Sequence, residues 1–197
     1  MVTLSRGEAV RCLYDETHLT PVSIVGTFQI LDKAGCALAL ENVLAAAWTA
    51  YKVYETYVSQ TMTDFRAVAP LAKQDLRARE LELLASIQWT VPTRSRTDVV
   101  DDLAHELGVA SLDCGRAAVL SLVMPECARM TDDQYARVVL CAAAQLAQVE
   151  DILWAAKLAT PAIGADYIIK WSSRIASLAG PRAGPATASG NKRKREE

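Results

Sequence analysis

Apolar residues recur along this chain at intervals of three and four, and the polar residues between them fall where helices start and stop. Ser5-Arg6-Gly7-Glu8 reads as a capping box, in which the Ser5 hydroxyl and the Glu8 carboxylate each take an unpaired backbone N–H. Thr20-Pro21 places a cap before a proline at the first helical position, and Gly35 marks the end of that helix. From about Leu38 to Gln60, Leu44, Ala47, Tyr51, Tyr54 and Val58 lay one stripe, flanked by Trp48 and Tyr57. Such a stripe is a core face; an aromatic edge for a partner is the other reading. Asp64 is a cap candidate for the next segment. Pro70 starts a helix to about Gln88, with Leu76, Leu83, Leu84 and Ile87 on its apolar face.

Thr90–Arg96 carries a proline and no periodic apolar signal, which makes it the expected junction between two units. Beyond it, Thr97 or Asp98 caps a short helix ending at Gly108, and Ser111 caps another that Pro125 ends. Thr131-Asp132-Asp133-Gln134 is a second capping box, with two acids at the positive end of the helix. The helix that follows presents Tyr135, Val139, Ala142, Leu146, Val149, Leu153 and Ala156, a seam expected to run unbroken until Pro161. A last helix over about Ala162–Leu178 sets Ile163, Tyr167, Trp171, Ile175 and Leu178 on one side.

No segment alternates with period two long enough for a strand. The expected fold is all-α. Two small helical-bundle subdomains, 1–90 and 97–180, are joined by a short linker at 91–96 and followed by a flexible basic tail at 181–197. A composition that is 51% hydrophobic but 6% aromatic, with alanine prominent, fits helices better than sheets.

Composition also narrows the chemistry. Two histidines, His18 and His105, and five cysteines, Cys12, Cys36, Cys114, Cys127 and Cys141, never fall into a zinc spacing. No metal or cofactor is expected, and the thiols read as reduced and mostly buried. The phosphate-loop, dinucleotide, zincin and nucleophile-elbow motifs are absent. Asp101-Asp102 and Asp132-Asp133 are adjacent pairs whose members diverge by about 100° on a helix, so they read as solvated acids near helix starts. The expected protein is not an enzyme. Its first residues mix charges among apolar positions, unlike a signal peptide, and no apolar run is long enough to span a membrane.

The formal net charge of −2 conceals an asymmetry. Residues 152–197 hold eight basic and three acidic side chains, giving +5, which leaves thirteen basic and twenty acidic, or −7, in residues 1–151. An acidic body with a basic end fits an anion-binding surface or head-to-tail self-association. Lys192, Arg193, Lys194 and Arg195 form a short run that an import receptor reads, or else a solubilising terminus. Arg66, Lys73, Arg77, Arg79, Arg94 and Arg96 face three acids over the same stretch, a local +3, and Lys170 and Arg174 flank Trp171. These eight are either ordinary solvated charges or a basic face for phospholipid headgroups or ribonucleoprotein.

Ser111–Ala147 resembles the central helices of orthomyxovirus (influenza-type) matrix proteins. There a serine and a glycine open an alanine-rich helix, and after a short turn the next helix contains a V/L-C-A step. Ser111, Gly115, Ala118, Ala136, Cys141 and Ala142 match that pattern without a gap, and Arg79-Glu80-Leu81 falls where the family has a basic amphipathic helix. The chain is short for an influenza member and closer in length to the isavirus type. It lacks the denser basic motif and the Cys/Cys/His/His cluster of influenza members, so zinc binding and that nucleic-acid motif do not carry over.

The resemblance implies a non-catalytic structural protein of the virion that polymerises beneath the envelope. It would bind anionic phospholipid membrane and bridge it to viral ribonucleoprotein or RNA. It implies a location at the inner face of the envelope and in the host cytoplasm, nucleus and membrane periphery. The rival readings are an RNA-binding nucleocapsid or coat protein, and a nuclear adaptor that uses the tail for import.

Overall fold

The computed structural model describes residues 3–17, 19–55, 73–109, 112–149 and 151–180. Ten helices occur among them: α1 Arg6–Glu16, α2 Pro21–Ala34, α3 Leu40–Tyr54, α4 Lys73–Ser86, α5 Arg96–Glu106, α6 Cys114–Ser121, α7 Pro125–Ala128, α8 Asp132–Leu146, α9 Asp151–Leu158 and α10 Ala165–Ser177. No strand is present among the described residues; two isolated antiparallel bridges, Thr3 with Ala39 and Thr160 with Ile163, tie loops together. The fold is all-α.

Local chemistry sets most of the boundaries. The Ser5–Glu8 and Thr131–Gln134 capping boxes are both formed, Thr20 caps α2 with Pro21 at its first position, and Gly35 closes that helix at φ 61°. Four boundaries differ from the sequence expectation. Helix α3 stops at Tyr54 because Glu55 turns extended and aims its carboxylate at the start of α2. There one oxygen accepts from the Thr20 N–H at 3.2 Å, the Thr20 hydroxyl at 2.6 Å and the Ser23 hydroxyl at 2.7 Å. The acid thus satisfies and neutralises a helix N-terminus, which one more turn of α3 would forgo.

Helix α5 starts earlier than expected, with Ser95 as its cap and the Asp98 carboxylate returning to the Ser95 N–H at 2.8 Å. Helix α6 is capped by Asp113, whose side chain accepts from the Arg116 N–H, and it ends at Ser121. Pro125 opens the short α7 instead of closing α6, since a proline lacks no needed bond at a first helical position.

The seam beyond Thr131 is also broken. Gln148 adopts φ 62°, and the Val149 N–H bonds the Ala144 carbonyl at 2.9 Å while the Gln148 N–H bonds that of Gln145 at 3.0 Å. This is a Schellman closure with glutamine in place of glycine. Of the seam, Tyr135, Val139 and Ala142 are buried, but Val149 is 38% exposed.

Packing is organised on two helices buried on nearly every side. Helix α2 lies against α3, α5 and α6, and α8 against α5, α6, α9 and α10, while α3 also receives α4. Both are apolar around most of their circumference, as central helices must be. The 91–96 segment, expected as a linker, is itself packed. Ser95 is buried, the Pro92 carbonyl accepts from the Tyr54 hydroxyl, and the Arg96 N–H reaches Gln29 Oε1 at 3.1 Å. Buried side chains from both sides of it belong to one continuous apolar cluster.

Small residues set the closest contacts. A Cβ at Gly26 would lie 2.1 Å from Tyr54 Cε2, and one at Gly115 would lie 3.0 Å from Pro21 Cγ. Ala118, Ala136, Cys141 and Ala142, four of the positions that carry the matrix resemblance, are buried, and close helix packing alone calls for small side chains there. Ser111 lies outside the described residues.

Candidate functional site

Arginines divide into those committed to the fold and those left on the surface. Three of them, Arg6, Arg96 and Arg137, each reach a backbone carbonyl at the end of another helix, where carbonyls lack intrahelical partners. Arg6 sends two parallel bonds to the Asp32 carboxylate at 2.7 and 2.8 Å and Nε to the Leu122 carbonyl at 2.5 Å, with its guanidinium 4.7 Å from the Phe28 ring centroid. Arg137 bonds Asp133 at 2.8 Å and the Leu158 carbonyl at 2.7 Å.

Arg96 is the most enclosed of the three, its side chain 12% exposed. It binds Asp132 at 3.0 Å, the Cys127 carbonyl at 2.9 Å and the Met130 carbonyl, and it lies 4.2 Å from the Tyr135 ring centroid. The expected surface arginine is therefore an internal clamp that ties the start of α5 to α7 and α8. A guanidinium with its donors fixed inside the fold has few left for a lipid phosphate.

The remaining sequence-predicted bases are scattered. Arg66, Lys192, Arg193, Lys194 and Arg195 lie outside the described residues, and of Lys73 only its place at the start of α4 is described. Arg77 is exposed on α4, Arg79 pairs with Glu82 at 2.7 Å on the same helix, and Arg94 pairs with Asp102. The acids singled out in the sequence are thereby accounted for. Asp132 and Asp133 start α8 and bind Arg96 and Arg137, whereas Asp101 and Asp102 sit in the middle of α5 instead of at its start. Burial, and then the neighbouring Asp98, raise the Asp101 pKa.

Lys170 and Arg174 do come together. On α10 they bracket the half-buried Trp171, with Lys170 Nζ 5.2 Å and Arg174 Cζ 4.7 Å from its ring centroid, and Tyr167 meets the ring edge-on at 6.3 Å. On adjoining α9, Lys157 Nζ stands 5.5 Å from the Trp154 ring. Each cation–π contact at an exposed site is worth about 0.5–1 kcal/mol, enough to hold a cation over a ring while its remaining N–H groups face water. Arg174 also approaches Glu126 at 3.6 Å, a loose pair that leaves the guanidinium half exposed. The helix buries Ile168, Ser172 and Ile175, Tyr167 and Trp171 pack at the edge of that buried face, and Lys170 and Arg174 beside them are exposed. The Lys157–Trp154 contact was not legible in the sequence, although a base three residues after a tryptophan on a helix is its signal.

Among the described residues no three His, Cys, Asp or Glu side chains converge as a metal site, and no helix is long and apolar enough to cross a membrane. Cys114, Cys127 and Cys141 are buried and Cys12 and Cys36 half-buried, and none of the five is joined in a disulfide. Burial, assisted by nearby acids, pushes both Cys114 and Cys127 up to about 11. Alkylation of the folded chain near pH 8 should accordingly label Cys12 and Cys36 first and leave Cys114 and Cys127 largely unmodified until the chain unfolds. Peptide mass mapping over time reads the order. Compared with models of protein families, with curated proteins and with solved structures, the chain matches none.

Proposed function

We propose that this chain is a viral matrix protein, a non-catalytic structural component that binds anionic membrane electrostatically, self-assembles beneath it and links it to ribonucleoprotein. The observation that carries the reading is the edge of α10, where the exposed Lys170 and Arg174 are held over Trp171. Bases beside an amphipathic ring suit the headgroup layer: the ring takes the interface, and the cations meet lipid phosphate. Each basic residue near an anionic surface contributes about 1 kcal/mol, so one patch is weak and an assembly of copies is strong. The Lys192–Arg195 run serves in this reading as an address for an import receptor.

Flotation with phosphatidylserine vesicles tests the proposal. Binding should fall steeply as salt rises, because exposed charges are screened over about 10 Å at 0.1 M. The double substitution Lys170→Glu and Arg174→Glu should weaken it by about tenfold or more. Equal binding to neutral vesicles, or indifference to salt, defeats the proposal; a salt-dependent RNA gel shift without vesicle binding would favour the nucleocapsid reading instead.

A further inference from the structure

A groove of about 670 Å3 runs between α1 and α6, with Val10, Val119 and Val123 in its lining and Tyr14 and Leu178 on its banks. Tyr14 is 54% and Leu178 41% exposed, so two large apolar side chains border it that the described helices leave uncovered. Leu178 stands two residues before Gly180, the closing glycine of α10 at φ 72° and the last described residue. A chain leaving Gly180 therefore starts within about 7 Å of the groove's bank, the reach of two extended residues. The sequence that follows suits an apolar trough. Pro181, Ala183, Pro185, Ala186 and Ala188 are small, and the two prolines bring no backbone N–H that the trough would leave unpaired. Segments rich in proline dock beside aromatic side chains, which Tyr14 supplies here.

Charge extends the match beyond the groove. Helix α1 exposes Glu8, Asp15 and Glu16 against Arg11, while its other base, Arg6, is held by Asp32. Asp15 borders the groove, and Glu8 and Glu16 border a second depression that shares Arg11 and Asp15 with it. Residues 181–197 carry five basic side chains, Arg182 and Lys192–Arg195, against Glu196 and Glu197, a net +3. Reach is ample. Residues 181–191 extend over as much as about 36 Å, while α1, with 11 residues, is only about 16 Å long.

We propose that residues 181–191 lie in the α1–α6 groove of their own chain and that Lys192–Arg195 rest against the acids of α1. The consequence, that the fold covers the run an import receptor reads, rests on the function proposed above; the docking does not. The contact is reversible. A short tether supplies an effective concentration of about 1 mM, so a docking constant as weak as about 0.1 mM leaves the seated form about tenfold more populated than the open one.

Tryptic cleavage after Lys192–Arg195 in the full chain, followed by intact mass, reads the open fraction, because cleavage follows the population of the opened state. The run should be cut about tenfold more slowly than in a synthetic peptide of residues 181–197. Salt at about 0.5 M should erase most of that difference. Asp15→Lys with Glu16→Lys, and separately Tyr14→Ala, should each bring the rate to within about threefold of the peptide's, by opposing the run or removing its aromatic contact. All three side chains are exposed, and lysines suit the end of a helix, so folding survives either change, and circular dichroism checks it. Protection should persist through about hundredfold dilution, since an intramolecular contact does not depend on concentration. Cleavage of the unmodified chain at the peptide's rate, or variants as protected as the unmodified chain, overturns the docking; protection lost on dilution overturns it in favour of the tail of a second copy. A purified import receptor for basic runs should bind the Asp15→Lys, Glu16→Lys chain about tenfold more tightly than the unmodified one. If it binds neither while protection holds, the import address falls and the docking stands.

Discussion

Replacing Arg96 by alanine should destabilise the chain by about 3 kcal/mol. The side chain is nearly enclosed, and its removal strips the Cys127 and Met130 carbonyls of their donor. An orphaned buried acceptor costs about 1–3 kcal/mol. Loss of the cation–π contact with Tyr135 adds about 1 kcal/mol more. The pair with Asp132 adds little, because that carboxylate is 68% exposed. A change of this size lowers the midpoint of a domain of 150–250 residues by roughly 6–12 °C, which a thermal melt resolves easily. Arg96→Lys should recover less than half, because one ammonium cannot match the fork that reaches three acceptors. Below the melting transition, vesicle binding by Arg96→Ala should match that of the unmodified chain. A variant that melts normally but loses lipid binding would return Arg96 to the surface.

Gly26→Ala should destabilise by about 2 kcal/mol, although alanine is the better helix former by about 1 kcal/mol. The added methyl would lie 2.1 Å from Tyr54 Cε2 and 2.6 Å from Cδ2, so the ring must leave. It cannot leave freely, because the Tyr54 hydroxyl is bonded to the Pro92 carbonyl. Overpacking of this kind costs about 1–3 kcal/mol. Tyr54→Ala should also destabilise, but the double variant should be more stable than the sum of the singles, since removing the ring makes room for the methyl. Denaturant titration of all four forms gives the coupling directly; strict additivity would mean the two residues do not collide.

Both results concern contacts that no local pattern announces. Helix chemistry was legible wherever cause and effect are close in sequence. The capping boxes at Ser5 and Thr131, the Thr20-Pro21 start and the Gly35 stop depend on atoms within one turn of each other, and all four form as read. The all-α class followed from the period of the apolar residues, which is likewise a local property. The Lys170–Trp171–Arg174 face was legible for the same reason, since its three residues lie within five positions of one helix.

Position by position, the tertiary structure decided the rest. The sequence placed Arg96 among surface bases because charge counting cannot distinguish a guanidinium facing water from one facing the ends of two other helices. Its acceptors lie more than thirty residues away. Helix α3 ends early because Glu55 is needed at Thr20, thirty-five residues back. The seam after Tyr135 breaks at Gln148 because a closing turn gives its carbonyls partners there, an outcome that an apolar period extrapolated past Leu146 cannot register. Period, caps and charge pattern are one-dimensional and sufficed for the elements. Which charges are left for a membrane depends on long-range pairings that arise once the helices have packed.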